Sequence, residues 1–210
     1  MGDQRARIRK LTTAMFVSHH REKFVNATAF FVANTKHCHT LKLNKLLNFL
    51  DFEHYRQTGR SVTGFEYNAL RNGPVAFVVL DELKSPKPDF AKKILTINVL
   101  KEFSDELQRR DLRTLSKFDA GWFTKRELKI MERLAEFFIE ADGGTMSTFS
   151  HDRSLPWYKV YQGGKGENKH IPYELSLSAK PIIADMPSLT QEEILARNEN
   201  FKEIDRATIG

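Results

Sequence analysis

The chain has 210 residues and a mass of 24.3 kDa, with 40% hydrophobic and 29% charged residues. Its 16 Phe, two Trp and five Tyr are too much apolar surface for a disordered chain, and its single Cys excludes a disulfide scaffold. No apolar run approaches the ~18 residues of a membrane span. The composition therefore predicts a soluble cytoplasmic protein.

The net charge of +6 is unevenly distributed along the chain. Residues 1–23 carry six Lys or Arg against two acidic residues, whereas residues 181–210 carry three against six. The changes in composition predict three parts. They are a basic arm at 1–22, a folded domain at 23–180 and an acidic tail with a short helix at 181–210.

Two basic stretches, residues 5–10 and the group Arg109, Arg110, Arg113 and Lys117, could contact nucleic-acid phosphates. No nucleic-acid-binding motif accompanies them. A solvated arm and a solvated helix face are the preferred interpretation, so we do not expect a nucleic-acid partner.

The first predicted element is a helix from Lys23 to about Thr35, with Phe24, Ala27 and Phe31 on one stripe. Thr40 is expected to cap a second helix that ends at Thr58-Gly59. The apolar residues of this second helix follow i, i+3, i+4 and i+7 spacing, which predicts one buried face. They are Leu43, Leu46, Leu47 and Leu50. Asn48 and Glu53 lie off this face and are expected to tolerate alanine.

Alternating apolar residues from 62 to 72 predict a strand. Pro74 is expected to begin a helix, because proline is preorganised for the first helical position. The valines that follow leave a strand as the alternative there. Further along, residues 94–100 are predicted as a strand and Asp105 to Leu115 as a helix.

The clearest local signal is a capping box of Thr124 and Glu127, which predicts a helix running to a stop at Gly143-Gly144. Its buried stripe is predicted as Leu128, Met131, Leu134, Ala135 and Phe138. Ile171 to Leu177 is a candidate strand, and a second capping box at Thr190 and Glu193 predicts a short tail helix. Together these elements predict a mainly α (α+β) domain with a few short strands.

Three polar segments of the sequence are candidates for a metal, catalytic or phosphate-binding site. His37, Cys38 and His39 could ligate a metal or activate Cys38 as a nucleophile, but zinc needs four ligands and adjacent side chains rarely face one another. Asp51, Glu53 and His54 could form an acid–base group, although helix-surface pairing also explains them. The glycine loop 163–166 lacks the Ser or Thr of a phosphate loop. We therefore expect no catalytic residues, no metal and no cofactor.

Several motifs occur in a specific order. They are the Lys42–Tyr55 helix, Thr58–Gly64, Tyr67, Gly73-Pro74-Val75, Phe123-Thr124, Ser150-His151, Pro156-Trp157 and Ile171–Glu174. This order over about residues 24–178 resembles the Panacea domain, the SocA-like antitoxin family. The resemblance implies that fold-defining positions are Lys45, Leu46, Leu47, Gly64, Gly73, Pro74 and Trp157.

The resemblance also implies a function. It predicts a cytoplasmic antitoxin of a bacterial or phage toxin–antitoxin pair, which neutralises its toxin by direct binding. The alternatives are an adaptor that delivers the toxin to a ClpXP-type protease, a nucleic-acid-binding regulator and an uncharacterised enzyme. Four polar motif residues are candidate contacts with the toxin. They are Asp51, His54, Tyr67 and His151.

Overall fold

The computed structural model describes residues 19–98 and 110–182, together with Thr190, Glu192 and Glu193. Within these residues the chain is mainly helical with short antiparallel strands, which confirms the predicted fold class. The helices are α1 (His20–Asn34), α2 (Thr40–Thr58), α3 (Phe77–Lys84), α4 (Pro88–Ala91), α5 (Lys125–Phe137), α6 (Gly143–Ser150) and α7 (Pro156–Tyr161). The strands are β1 (Asn68–Leu70), β2 (Gly73–Val75), β3 (Ile94–Asn98) and β4 (Arg110–Thr114).

Helix α2 is the centre of the fold. Its predicted apolar face is confirmed, because all four leucines are fully buried. The remaining faces are buried too, against α1, α5, α6 and the strand β2. The cap prediction is wrong by one residue: His39 occupies the cap position, and the Thr40 hydroxyl instead accepts a hydrogen bond from the Arg110 N–H at 2.9 Å. Gly59 ends the helix with φ of 74°, as predicted.

Helix α1 packs against α2 and α5, and its predicted stripe of Phe24, Ala27 and Phe31 is buried. It begins at His20, earlier than predicted. Arg21 links the beginning of α1 to α3 and α4. Its guanidinium nitrogens lie 2.6 Å from the Glu82 carboxylate of α3 and 2.7 Å from the Asp89 carboxylate of α4.

The prediction of a strand from 62 to 72 is wrong for most of its length, since only Asn68–Leu70 forms β1. The preceding residues wrap around the end of α2, where the Asp51 side chain accepts their N–H groups. Pro74 lies in β2 and pairs with β1, so it does not begin a helix. Helix α3 begins at Phe77, and the helical interpretation of the valine-rich segment is confirmed from there.

The strand predicted at 94–100 is confirmed over Ile94–Asn98, and residues 99 and 100 lie outside the described residues. The helix predicted from Asp105 to Leu115 is wrong where it is described, because residues 110–114 form β4. Pairing with β3 buries Leu112 and leaves Leu115 exposed, although their spacing of three suits one helical face. Residues 105–109 lie outside the described residues.

Helix α5 confirms the capping box, because the Thr124 hydroxyl accepts from the Glu127 N–H (3.2 Å) and the Glu127 carboxylate accepts from the Thr124 N–H (2.7 Å). Its buried stripe is confirmed except for Leu128, which is only partly buried. The helix ends at Phe137 rather than at the glycines. Gly143 begins α6 instead, because the Asp142 side chain accepts the Thr145 N–H and caps it.

The C-terminal part of the domain is folded back over α2. Residues Tyr173–Ser178 form a 3₁₀ helix that packs on α2, so the strand predicted from Ile171 to Leu177 is wrong. The second capping box is present, with the Thr190 N–H donating to the Glu193 carboxylate at 2.8 Å. The rest of the predicted tail helix, and residues 1–18 of the arm, lie outside the described residues. Among the helices described, none combines the length and apolar character needed to cross a bilayer.

Candidate functional site

The Asp51 side chain accepts four hydrogen bonds. One carboxylate oxygen accepts the N–H groups of Val62 (2.8 Å) and Thr63 (2.7 Å), and the other accepts the Thr63 and Tyr67 hydroxyls, the latter at 2.8 Å. Burial raises the pKa of Asp51, and these hydrogen bonds oppose the rise. The side chain therefore holds residues 62–67 against the C-terminal half of α2.

Tyr67 completes this cluster, which brings together two of the four predicted contact residues. Its side chain is fully buried, and its ring lies edge-on to Phe52 with centroids 5.7 Å apart. Burial and the neighbouring Asp51 carboxyl raise the pKa of Tyr67 well above its usual value. The hydroxyl therefore remains a hydrogen-bond donor, with an internal role.

His54 lies one turn further along α2 and is also buried. Its Nδ1 lies 2.7 Å from the Arg60 carbonyl oxygen, which assigns the proton to Nδ1 because a carbonyl only accepts. Burial lowers the pKa of His54, so a neutral ring stabilises the turn that follows α2. The predicted group of Asp51, Glu53 and His54 is not joined by mutual hydrogen bonds, since each side chain has other partners.

Glu53 corrects an expectation from the sequence. It is 2% exposed and accepts hydrogen bonds from Arg56, from Gln57 at 2.7 Å and from the Ile182 N–H at 3.3 Å. Replacing Glu53 by alanine would leave the buried guanidinium of Arg56 without its carboxylate partner. The expectation that position 53 tolerates alanine is therefore wrong. Helical periodicity identified only one buried face, and the C-terminal segment covers the other.

Lys45 is fully buried and ties α2 to the β1–β2 turn and to α6. Its Nζ donates to the Asn72 carbonyl and, at 3.0 Å, to the Ser150 hydroxyl. Burial lowers the pKa of Lys45 to about 7. Gly73 leaves the space for this amine: its φ is +117°, and a Cβ there would lie 2.0 Å from Nζ. The motif positions 45 and 73 therefore depend on each other, because the missing side chain of Gly73 leaves the space that the Lys45 amine fills.

His151 lies beside this contact and not beside Asp51. Its ring stacks on Trp157 with centroids 3.9 Å apart, and the Trp157 indole N–H donates to the Leu70 carbonyl at 2.9 Å. The His151 Nε2 is buried and has no hydrogen-bond partner among the residues that the structure describes. Burial and the charge of Lys45 lower the pKa of His151, so the ring is neutral at pH 7.

Cys38 and its neighbours do not resemble a ligand set. Burial raises the pKa of the Cys38 thiol to about 12, so the free side chain is a protonated thiol and not a thiolate nucleophile at neutral pH. No group of three or more His, Cys, Asp or Glu side chains comes together within the described part of the chain.

Lys42 is a structural residue that sequence patterning did not identify. Its Nζ donates to the carbonyls of Lys36 (2.7 Å), Ala141 (2.7 Å) and Ile139 (3.3 Å). It thereby joins the α1–α2 and α5–α6 connections. A lysine off the apolar stripe of an amphipathic helix normally indicates a solvent-exposed position, so the sequence carried no signal for this buried role.

The fold and the motif define a small helical domain assembled around one buried helix, whose polar motif residues are engaged in internal bonds. The chain matches the family model described as antitoxin SocA-like, Panacea domain, over residues 43–158. This match covers more than half of the chain, which therefore belongs to that family. No curated protein and no solved structure matches it.

The burial of Lys45 gives a testable pH dependence. In the unfolded chain its pKa has the ordinary value of 10.5, whereas in the fold it is about 7. Between these values unfolding takes up a proton, so the stability contributed by Lys45 rises with pH and is lost as the pH falls towards 7. The difference in free energy of unfolding between wild type and Lys45→Met is expected to change by up to about 1 kcal/mol per pH unit in wild type's favour as the pH rises.

Urea unfolding of both proteins between about pH 7 and pH 10 measures this difference. Methionine is a control of similar volume that does not titrate, and all other groups are common to both proteins. If the two stability curves run parallel, Lys45 remains charged in the fold and the argument is wrong.

Proposed function

We propose that this protein is an antitoxin that neutralises the toxin encoded beside it by direct protein–protein binding. The observation that carries the proposal is the family match, which spans most of the buried helix α2, all four strands, α5, α6 and the start of α7. The polar motif residues support it as well, because their internal bonds explain their presence without a chemical step. On this proposal the protein is not an enzyme and uses no cofactor.

The four candidate contact residues differ in what a partner could reach. Asp51, His54 and Tyr67 are buried, whereas His151 is partly exposed. Of the four, we propose His151 as the direct toxin contact, because its surface is open to a partner, and Asp51, His54 and Tyr67 as residues that hold the fold presenting that contact. We further propose that the basic arm and the acidic tail add toxin-specific contacts, since charged extensions raise association rates and select partners.

Co-expression tests this function. The adjacent reading frame, expressed alone, should stop growth, and this chain supplied from a second plasmid should restore it. Purified toxin should then co-elute with the chain from a sizing column. If the neighbouring frames are harmless, or if growth is restored without a complex, neutralisation by binding is wrong.

The same strains separate blocking from delivery to a protease. Direct binding leaves the amount of toxin unchanged when growth is restored. Loss of toxin in cells with a ClpXP-type protease, and not in cells without it, would favour the adaptor function instead.

A further inference from the structure

The two edges of the β3–β4 sheet differ in what covers them. On the β4 edge, the Leu112 N–H donates to the Cys38 carbonyl at 3.1 Å, and the Arg110 N–H donates to the Thr40 hydroxyl at 2.9 Å. The segment that begins α2 therefore covers β4.

The β3 edge is covered at Ile94, which is only 2% exposed, and is partly exposed at Thr96. The Leu115 N–H donates to the Lys93 carbonyl at 2.7 Å, so these two residues form a hydrogen-bonded pair. Such pairs alternate along an antiparallel ladder, which directs the backbone groups of Ile94 and Thr96 away from β4. Within the described part of the chain, no hydrogen bond reaches these outward groups.

Exposed apolar side chains lie beside this edge. Leu95 is 44% exposed and Leu115 is 56% exposed. Each pairs with a basic residue, Arg113 and Lys93 respectively, so the register places the two leucines on one face of the sheet. The opposite face holds the buried side chains of Ile94 and Leu112, which anchors the sheet on the core.

Three exposed cations lie beside the edge. Lys92, Arg113 and Lys117 are all exposed, and none forms an ion pair within the described residues. The acidic residue nearest along the ribbon is Asp111, which lies on β4 and has other contacts. An edge strand flanked by unpaired cations repels a second copy of itself and attracts an acidic strand.

We propose that the toxin docks by adding an extended acidic segment to β3 as a third strand. The open edge consists of the outward backbone of Thr96, the face of Leu95 and Leu115, and the cations Lys92, Arg113 and Lys117. Main-chain hydrogen bonds supply affinity in this mode of recognition, and the flanking side chains supply specificity. This inference rests on the proposed antitoxin function and names the surface that carries it.

Thr96→Pro tests the backbone contact, because proline removes the outward N–H without removing a bond to β4. The matched control is Thr96→Ala, which loses the same hydroxyl and keeps the N–H. We expect Thr96→Pro to bind purified toxin at least about tenfold more weakly, and Thr96→Ala to bind within about twofold of wild type. Equal affinity of the two variants, with unchanged melting temperatures, would overturn the proposal.

A second variant keeps the test valid if proline unfolds the hairpin. Lys92→Glu, Arg113→Glu and Lys117→Glu together reverse the charge of the open edge without touching the core. This triple variant should lose at least about tenfold in affinity, and the loss should shrink as salt approaches 1 M. Wild-type affinity in the folded triple variant would contradict the proposal.

Amide exchange measured by nuclear magnetic resonance locates the contact directly. Adding toxin should slow the exchange of the Thr96 amide by at least about tenfold, since this amide gains a partner. Unchanged exchange in a saturated complex, or a dimer of this chain that Thr96→Pro dissociates, would overturn the proposal. Such results leave growth rescue by the wild type intact, so they are distinguishable from failure of the antitoxin function.

Discussion

Replacing either Leu46 or Leu47 by alanine is expected to lower the free energy of unfolding by about 2–5 kcal/mol. Both side chains are 0% exposed, and they lie on the helix that contacts α1, α3, α5, α6, β2 and β4. Alanine removes their transfer free energy and leaves a cavity that α1, α5 and the hairpin β1–β2 cannot close without moving together. Urea or thermal unfolding of the purified variants measures the loss.

Leu115→Ala is the matched control, because it deletes the same atoms from a side chain that is 56% exposed. Its stability should stay within about 0.5 kcal/mol of wild type. Leucine variants of α2 that unfold at the wild-type urea midpoint would contradict the assignment of α2 as the core helix.

Replacing Asp51 by alanine is expected to cost about 3 kcal/mol or more, because it leaves buried donors without an acceptor. The donors are the N–H groups of Val62 and Thr63 and the hydroxyls of Thr63 and Tyr67. The hydroxyls can turn towards other acceptors, whereas the two backbone groups are fixed in direction. The same unfolding measurements apply.

Asp81→Ala is the control for the loss of a carboxylate, since Asp81 is exposed on α3. It should change stability by no more than about 0.5 kcal/mol. Tyr67→Phe in the Asp51→Ala background should cost less than Tyr67→Phe alone, because the acceptor is already absent. Additive losses would show that the two side chains do not share a bond in solution.

Sequence patterning was most successful where one local interaction decides the structure. The Thr124 and Glu127 capping box lies within a single turn, and the leucine stripe of α2 follows from helical spacing alone. Both could be predicted without knowing any neighbour.

Predictions failed where a distant segment decided the structure. Residues 110–114 have helical spacing but form β4, because β3 on one side and Cys38 on the other supply hydrogen bonds. Pro74 is compatible with a first helical position, yet the packing of Lys45 against Gly73 holds that turn in a hairpin.

The candidate contact residues show the same difference between local signals, which the sequence carries, and distant partners, which it does not. The resemblance to the family identified Asp51, His54, Tyr67 and His151 as the polar positions of the motif. Their partners could not be predicted from the sequence, since the Thr63 bond spans 12 residues and the contact between Lys45 and Ser150 spans 105.

Lys42 joins the α1–α2 connection to the α5–α6 connection, and this has a consequence for local unfolding. Lys42 bonds the Lys36 and Ala141 carbonyls, and the Lys36 N–H donates to the Ile139 carbonyl at 2.9 Å. The segments around Lys36 and Ile139 are therefore one cooperative unit, although about a hundred residues separate them in the chain. A partner that pulls the two segments apart has to break both the bond between the Lys36 N–H and the Ile139 carbonyl and the bridge through Lys42, so a force applied at one connection is resisted at both.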